Sequence, residues 1–292
     1  MKTADIFKKK TVFSLEIFPP RPDTDESVIY DTLDNLTDIS PDFISVTYGA
    51  GGGKNGSRTI KIASDIKNKY GVESAAHLPC IGITKEQARE ILDSMENSGI
   101  ENILALRGDI ADNCSPAGDF SHASDLITFI KENYSFNILA ACYPEVHPES
   151  NCAVDDLRWL KHKVDCGADH LITQLFLDNS YFCSFREKTA LAGINVPIEA
   201  GIMPVTNKRQ IERMVKLCGV DLPKRFIRVL EKYEHDPVAL RDAGIAYAID
   251  QITDLIALGV DGIHLYTMND PYTAHRIFNA VHNMLTVRSL VS

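Results

Sequence analysis

The sequence predicts an α/β fold, a single (β/α)8 TIM barrel with extra helices before the last strand. Eight short, β-rich apolar runs recur along the chain, and segments with helical periodicity separate them. Seven of the runs start about 30 residues apart, the length of one βα unit, and the eighth follows a longer interval. Most runs are continuous rather than alternating, as in parallel strands covered on both faces. The alternative is an open doubly wound sheet, whose units are seldom so even.

The predicted strands are dominated by apolar residues. In chain order they cover residues 11–18, 42–49, 73–80, 102–108, 137–144, 170–176, 197–204 and 262–267. No linker, low-complexity tract or change of composition divides them. Residues 1–292 are therefore predicted to form one domain.

Capping residues and glycines mark where the predicted helices begin and end. Thr84 and Gln87 form a capping box at the start of the helix predicted over residues 84–99. Six glycines each follow a helical segment, where a left-handed residue ends the helix: Gly71, Gly99, Gly167, Gly193, Gly219 and Gly259. In the helix of residues 238–259, the predicted buried face comprises Ala246, Ile249, Ile252 and Leu255 or Ile256.

Composition and charge exclude several classes of protein. Hydrophobic residues make up 45% of the chain and charged residues 24%, the values of a folded globular protein. The net charge of −10 argues against a nucleic-acid or anionic-membrane partner. No run approaches the ~20 apolar residues of a membrane-spanning helix. The seven cysteines include no C-x-x-C pair, which is typical of a reducing compartment, so we expect a cytoplasmic protein.

Polar side chains cluster where the predicted strands end. In a barrel of this kind the active site lies at the carboxyl ends of the strands, and a purely structural face would not need polar groups there. The set comprises Glu16, Thr47, Tyr48, His77, Arg107, Gly108, Asp109, Tyr143, Glu145, His147, Gln174, Tyr266 and Thr267. We therefore predict a functional site at this end of the barrel.

A glycine-rich loop over residues 49–56 follows the second predicted strand. It contains a literal G-x-G-x-x-G at Gly51, Gly53 and Gly56, a pattern of dinucleotide-binding Rossmann folds. It departs from the Walker phosphate loop, because Tyr48 replaces the first glycine and Asn55 follows the lysine. Since the rest of the chain is barrel-like, we interpret the loop as one that approaches a ligand closely, without a Rossmann unit. An ordinary βα loop is the alternative.

Glu16 and the Arg107–Asp109 turn are candidates for chemistry. Glu16 interrupts an apolar strand, so its carboxyl group is either paired or raised in pKa by desolvation and useful as an acid. An outward-facing, exposed side chain is the alternative. Arg107 could bind phosphate or carboxylate, and Asp109 could face a heteroaromatic ring. The alternative for this turn is a surface turn with a salt bridge.

His77 and His147 are candidate metal ligands, but no third ligand follows at a metal-site spacing. Packing, or hydrogen bonding to a polar ligand, is the preferred interpretation, and no metal is predicted. Asp156 and Lys163 lie seven residues apart on one face of a predicted helix. That spacing ordinarily indicates a solvated pair.

Eight segments of the chain carry a resemblance to a known family. They are FSLEIFPPR (13–21), ISVTYGAGG (44–52), HLPCIGIT (77–84), LALRGD (104–109), YPEVHPES (143–150), ITQLFLD (172–178), GIMPVTNKRQ (201–210) and HLYTMN (264–269). In this order and spacing the chain resembles the bacterial methylenetetrahydrofolate reductases, and Y-P-E-V-H-P with L-R-G-D is the most specific combination. The resemblance implies a flavin-dependent barrel that reduces 5,10-methylenetetrahydrofolate to 5-methyltetrahydrofolate.

The resemblance also implies roles for individual residues. Glu16 matches the family's general acid, and Asp109 lies by the flavin, where its charge disfavours the reduced anionic form. Positions that hold FAD match Thr47, Tyr48, Ala50, His77, Arg107, Gly108, Asp109, Ala123, Tyr143, His147, Asp156 and Lys163. Gln174 and Gln210 match contacts to the folate, and Thr47 and Gln174 match positions near the nicotinamide.

Two positions depart from the pattern of the family. Met214 replaces an aromatic residue that stacks on substrate in members that use NADH, and Asp270 replaces an arginine that contacts folate. An anion in place of a cation should weaken the attraction of an anionic folate tail. The implied electron donor is therefore NADH, NADPH or a reduced electron carrier. The implied protein partner is a second copy of this chain or a partner subunit.

Two other classes remain open from the sequence. One is a different barrel enzyme, such as an aldolase or a phosphate-binding isomerase, although no lysine ends a predicted strand as a Schiff base would require. The other is a flavin- or folate-binding barrel subunit of a larger electron-transfer complex that does not use NAD(P)H directly. Bound flavin would separate the first class from a reductase, and turnover with a chemical reductant would separate the second.

Overall fold

The computed structural model describes residues 1–21, 23–48, 53–109 and 118–286. Within these ranges eight parallel strands form a closed barrel, in which each strand pairs with the next and the last pairs with the first. The strands are β1 (Val12–Ile17), β2 (Phe43–Val46), β3 (Glu73–Pro79), β4 (Asn102–Leu106), β5 (Asn137–Cys142), β6 (His170–Thr173), β7 (Ile198–Ile202) and β8 (Gly262–Tyr266). The predicted barrel is confirmed, and the open sheet is excluded.

Helices surround the barrel and connect its strands. They are α1 (Ser27–Leu36), α2 (Gly53–Tyr70), α3 (Lys85–Asn97), α4 (Ala123–Asn133), α5 (Ala153–Asp165), α6 (Asn179–Leu191), α7 (Lys208–Cys218), α8 (Lys224–Tyr233), α9 (Pro237–Ala257) and α10 (Pro271–Leu285). Three of them, α7, α8 and α9, lie between β7 and β8. This confirms the extra helices predicted before the last strand.

The predicted helix ends are confirmed. Thr84 Oγ1 accepts a hydrogen bond from the Gln87 backbone N–H at 3.2 Å, and Gln87 Oε1 accepts from the Thr84 N–H at 2.9 Å. The two bonds satisfy backbone groups that have no partner inside α3. All six glycines predicted to end helices have positive φ, which a residue with a side chain adopts only with strain.

The predicted buried face of α9 is confirmed except at Ala246. Ile252 and Leu255 are buried, and Ile249 packs against the core. Ala246 is exposed, and Ile245 and Ala248 are buried instead. The predicted residues are spaced three apart, and three residues turn a helix by about 300°. Each step therefore falls about 60° short of a full turn, and the predicted residues move around the helix instead of staying on one face. The observed steps of three, four and three residues follow the helical repeat and keep one stripe against the core.

Apolar side chains pack on both sides of the barrel wall. Leu15 and Ile44 belong to the large core between the strands and the helices. A smaller layer inside the barrel includes Val12 and Phe43, the first residues of β1 and β2. The buried polar residues of the strands add a third component: Ser14, Glu16, Ser45, Ser74, His77, Asn102, Asn137, His170, Thr173, Glu199 and His264. Each of the eight strands contributes at least one such group.

Gly244 allows α9 to approach the segment that follows β7. A Cβ atom at this position would lie 1.9 Å from the Val205 backbone oxygen, so a side chain does not fit. In most helices alanine is more stable than glycine by up to ~1 kcal/mol. For Gly244→Ala we expect the opposite, a loss of roughly 1–3 kcal/mol in the free energy of unfolding, because the contact is overpacked. Urea unfolding measures it.

The exposed Ala246 of the same helix provides the matched control. Ala246→Gly should lose only ~1 kcal/mol, the difference in helix propensity. A Gly244→Ala protein at least as stable as the wild type would show that α9 does not approach Val205 this closely.

Candidate active site

A large cleft opens at the carboxyl ends of strands β2 to β6. Its cavity volume is about 1300 Å³, above the roughly 300–1,000 Å³ of typical small-molecule sites. The predicted site residues that line it are Thr47, Tyr48, His77, Arg107, Gly108, Asp109, Ala123, Tyr143, His147, Asp156, Lys163 and Gln174. Residues from five strands and two helices thus meet at the end of the barrel where the sequence predicts a site.

Glu16 is not among the residues that line this cleft, but it contacts one of them, His77, and lies between two buried histidines. Its Oε2 atom is 3.5 Å from His77 Nε2 on β3 and 3.5 Å from His264 Nε2 on β8. The Glu16 side chain is only 10% exposed, so the outward-facing alternative is wrong. Burial lowers the pKa of His77 to about 4, which leaves its imidazole neutral at pH 7. On that side Glu16 faces a neutral ring rather than a cation.

The contacts of Glu16 continue into the barrel. His264 Nδ1 is 2.6 Å from Ser14 Oγ, which also lies 2.8 Å from Glu199 Oε1 on β7. The other oxygen of Glu199 is 3.7 Å from His170 Nε2 on β6. Burial lowers the pKa of His170 to about 3 and raises that of Glu199 to about 7. The side chains of Glu16, His264, Ser14 and Glu199 thus form a line of polar groups that leads into the barrel interior. Sequence reasoning missed this line.

Arg107 forms a two-point ion pair with Glu149. Its Nη2 is 2.7 Å from Glu149 Oε1, and its Nη1 contacts the other carboxylate oxygen. The bond to this carboxylate raises the pKa of Arg107. Gly108 has a φ of 87°, and a Cβ atom there would lie 2.9 Å from Pro79 Cβ, so the turn requires glycine. With Asp109 exposed in the cleft, the turn both carries a salt bridge and lines the site.

Residues at the end of β5 and on α5 form another wall of the cleft. The rings of Tyr143 and His147 have centroids 4.5 Å apart. Burial raises the pKa of Tyr143 to about 12 and lowers the pKa of His147, so both rings are neutral at pH 7. Lys163 Nζ donates to the Ala141 carbonyl at 2.7 Å, whereas Asp156 accepts from the His147 N–H at 3.3 Å. Asp156 and Lys163 are therefore not the solvated pair that their spacing ordinarily indicates.

Trp159 is a cleft residue that sequence reasoning missed. It is the only tryptophan of the chain and is 59% exposed. It lies three residues after Asp156 and four before Lys163, so the three side chains share one face of α5. Its ring stacks on His122 at the start of α4, with centroids 5.8 Å apart and an interplanar angle of 11°. Both rings line the cleft.

The glycine-rich loop is described only from Gly53, where α2 begins. Ala50 and Gly51 lie outside the described residues. A Cβ atom on Gly56 would lie 2.3 Å from the Tyr48 hydroxyl oxygen. The last glycine of the pattern therefore packs closely against the ring of Tyr48, and the barrel topology excludes a Rossmann unit.

The predicted folate contacts lie in different surroundings. Gln174 lines the cleft, and its side-chain oxygen accepts the next backbone N–H at 2.8 Å. Gln210 lies in the first turn of α7, with its Nε2 3.8 Å from Met203 Sδ, and is not among the residues that line the cleft. Met214, one turn later, is half-buried in the apolar cluster of α7, α8 and α9. The structure brings Gln174, but not Gln210, into the cleft.

Asp270 has a structural role at the start of α10. Its carboxylate accepts hydrogen bonds from the Thr273 N–H at 3.3 Å and from the Thr273 hydroxyl at 2.6 Å. Such an N-cap contributes roughly 1 kcal/mol to a helix. The aspartate at this departure from the family pattern therefore stabilises α10.

The described part of the chain has neither a metal-binding cluster nor a membrane-spanning helix. There, no group of three or more His, Cys, Asp or Glu side chains could hold a metal ion. No helix of the described ranges is long and apolar enough to cross a membrane. Burial raises the pKa of the Cys80 thiol to about 12, as expected for a cysteine that packs as a small apolar residue.

The chain is similar in sequence to known proteins. The family model described as methylenetetrahydrofolate reductase matches residues 2–282. The 5,10-methylenetetrahydrofolate reductase of Pectobacterium carotovorum subsp. carotovorum is 39% identical over 256 residues, which cover 88% of this chain and 85% of that protein. Methylenetetrahydrofolate reductase (NADH) 1 of Arabidopsis thaliana is 35% identical over 289 residues, which cover 92% of this chain and 49% of that protein.

The chain is also similar in fold to a solved structure. An uncharacterized protein from Clostridium thermocellum that binds two copies of 5-methyl-5,6,7,8-tetrahydrofolic acid superimposes with a TM-score of 0.65. The superposition covers 97% of this chain and 98% of that chain at 12% identity, which shows a shared fold alone. The sequence matches go further, and the chain belongs to the methylenetetrahydrofolate reductase family.

Proposed function

We propose that this protein is a flavin-dependent reductase that converts 5,10-methylenetetrahydrofolate to 5-methyltetrahydrofolate, with FAD as its cofactor. The observation that carries the proposal is the position of Glu16, a nearly buried carboxyl group beside a cleft of about 1300 Å³. Family membership supports the substrate. The name of the Arabidopsis relative supports NADH as the donor, over NADPH or a reduced carrier. Neither an aldolase nor a phosphate-binding isomerase has comparable support.

Individual residues of the cleft support a flavin dinucleotide as the ligand. Arg107 already holds a carboxylate in two-point contact, the geometry that a phosphate group would take. The rings of Tyr143 and His147 are neutral and can border an uncharged ring system. His77 Nε2 is buried and has no hydrogen-bond partner among the described residues, so it is free to bond a ligand. Together with Lys163, these residues would hold FAD.

Glu16 would act on the folate rather than on the donor. The five-membered ring of methylenetetrahydrofolate opens to a reactive iminium when its nitrogen leaves with a proton. Glu16 would donate that proton from a carboxyl group that lies between the rings of His77 and His264. When bound, FAD supplies the hydride that it takes from the donor and passes to the methylene carbon.

Other residues of the cleft would bind and orient the folate. Asp109 is exposed in the cleft, where it can hydrogen-bond the pterin and place a negative charge near the flavin. Gln174, which lines the cleft, would contact the folate, whereas Gln210 does not line the cleft and is proposed as a folate contact from the family resemblance alone. Donor and folate would use the same face in turn, so we expect ping-pong kinetics.

Trp159 and His122 allow a test of which flavin binds. Stacking of a base on an aromatic side chain contributes roughly 1–3 kcal/mol, and FMN has no adenine to stack. We expect the purified protein to be yellow with FAD, and flavin-free protein to bind FAD more tightly than FMN, with quenching of Trp159 fluorescence. Trp159→Ala should weaken FAD binding by roughly 5–100-fold and leave FMN binding unchanged.

Equilibrium titration of flavin-free protein with each flavin measures both affinities. Trp159→Phe keeps an aromatic ring and is the matched control, with FAD affinity near that of the wild type. Equal losses for FAD and FMN, or no loss, would show that the adenine does not stack here. A protein that takes up no flavin would end the proposed function.

Glu16→Gln should separate the two half-reactions. Glutamine keeps the size and hydrogen bonding of the side chain but cannot donate the proton that opens the folate ring. Flavin reduction by the donor involves no such proton and should stay near the wild-type rate. Reoxidation by methylenetetrahydrofolate should fall by roughly 10²–10⁴-fold, the usual contribution of a positioned acid.

Stopped-flow absorbance of the flavin follows both half-reactions, and the donor half-reaction serves as the internal control. If the variant loses flavin reduction instead, or reoxidises at the wild-type rate, Glu16 is a structural residue of β1 and the acid lies elsewhere.

A further inference from the structure

Glu199 of β7 is a buried carboxyl group that the proposed reaction does not yet use. It is fully buried, and no lysine or arginine of the described residues faces it. His170 approaches it from β6, but burial keeps this imidazole neutral by lowering its pKa to about 3. Asp42 and Asp261 add only negative charge around it. The charge of His264 and the hydrogen bond from Ser14 favour the carboxylate, but the cost of burying a charge outweighs them, so the site favours the protonated acid.

The hydroxyl group of Ser14 links Glu199 to His264 with a single proton. Ser14 Oγ is 2.8 Å from Glu199 Oε1 and 2.6 Å from His264 Nδ1, and it can donate to only one of them. If Glu199 is protonated, it donates to Ser14, Ser14 donates to Nδ1, and the Nε2–H of His264 faces an ionised Glu16. If Glu199 is ionised, Ser14 donates to it, His264 Nδ1–H donates to Ser14, and Nε2 faces a protonated Glu16.

The two arrangements differ by one proton shifted along the line. Glu199 passes its proton to Ser14 Oγ, and Ser14 passes its own proton to His264 Nδ1. His264 Nε2 has no hydrogen-bond partner among the described residues and lies 3.5 Å from Glu16 Oε2, to which it passes its proton when the two groups move into hydrogen-bond contact. Ser14 and His264 each gain one proton and lose one, so the net charge of the line is unchanged. The shift leaves Glu16 protonated and Glu199 ionised.

We propose that Glu199 is a positioning residue that holds a proton in the line and passes it to Glu16 for the folate half-reaction, acting through Ser14 and His264. The inference rests on the proposed role of Glu16. Glu16 gives up one proton to the folate in each turnover, and the line replaces it from Glu199. The Glu16 side chain, which is 10% exposed, then takes up one proton from solvent, and the reverse shift along the line reloads Glu199. His77, on the other side of Glu16, is neutral because burial lowers its pKa to about 4, so it has no extra proton to give at neutral pH.

The pH dependence of flavin reoxidation by methylenetetrahydrofolate tests the proposal on flavin-loaded protein. Burial raises the pKa of Glu199 to about 7, so the group is protonated below that pH and ionised above it. In the wild type the reoxidation rate should therefore fall as the pH rises through about 7. Glu199→Gln has no proton to release, so its rate below this pH should be roughly tenfold lower and should lack the transition.

Two serine variants test whether the pH dependence requires the hydrogen bonds of the line or only the buried surroundings. Ser14→Ala interrupts the line between Glu199 and His264 and should also remove the transition. Ser45→Ala is the matched control, because Ser45 is a fully buried serine of β2 whose hydroxyl has no hydrogen-bond partner among the described residues. It should keep the wild-type pH profile, and flavin reduction by the donor should be unchanged in all three variants.

The outcomes distinguish this inference from the proposed function. A wild-type profile in Glu199→Gln, with Glu16→Gln impaired, would overturn the inference and leave the function intact. Reoxidation of Glu16→Gln at the wild-type rate would overturn the role of Glu16, and the inference with it. If Glu199→Gln does not fold, Ser14→Ala decides, and an unchanged profile in that variant overturns the inference.

Discussion

Closure of the barrel by β1 and β8 is the constraint on which the rest of the structure depends. The register places Ser14 opposite His264 and Glu16 opposite Tyr266, although these strands come from opposite ends of the chain. The Thr267 hydroxyl donates to the Glu16 carbonyl at 2.6 Å, which fixes the end of β1. Without this closure Glu16 would lose one of its two histidine neighbours, and the line that leads to Glu199 would not exist.

The outer side of the barrel wall packs in the apolar core, whereas its inner side carries buried polar groups. Branched apolar residues dominate the interior of most barrels of this type, whereas this one also buries serine, histidine and glutamate side chains. A buried polar group without a partner costs roughly 1–3 kcal/mol, and His170 has no hydrogen-bond partner among the described residues. The apolar core between strands and helices must therefore supply the stability that permits a polar interior.

Sequence patterns predict those features of the structure that depend on residues close together in the chain. The strands, the Thr84 capping box and the polar strand ends were all predictable, because each is a local pattern. The contacts that define the site join distant residues, such as Ser14 and His264, 250 positions apart. They depend on strand register, which periodicity does not reveal. The prediction that Ala246 lies on the buried face of α9 was wrong for a local reason, because three-residue steps do not match the helical repeat.

A single turnover under anaerobic conditions tests most directly whether this cleft reduces folate through a bound flavin. The FAD-loaded protein is reduced chemically, freed of reductant and mixed with excess methylenetetrahydrofolate, and the folate products are separated by chromatography. We predict one 5-methyltetrahydrofolate for each FAD, with the flavin fully reoxidised. A flavin that stays reduced in the presence of the folate, or a product yield unrelated to the flavin content, would contradict the proposed reaction.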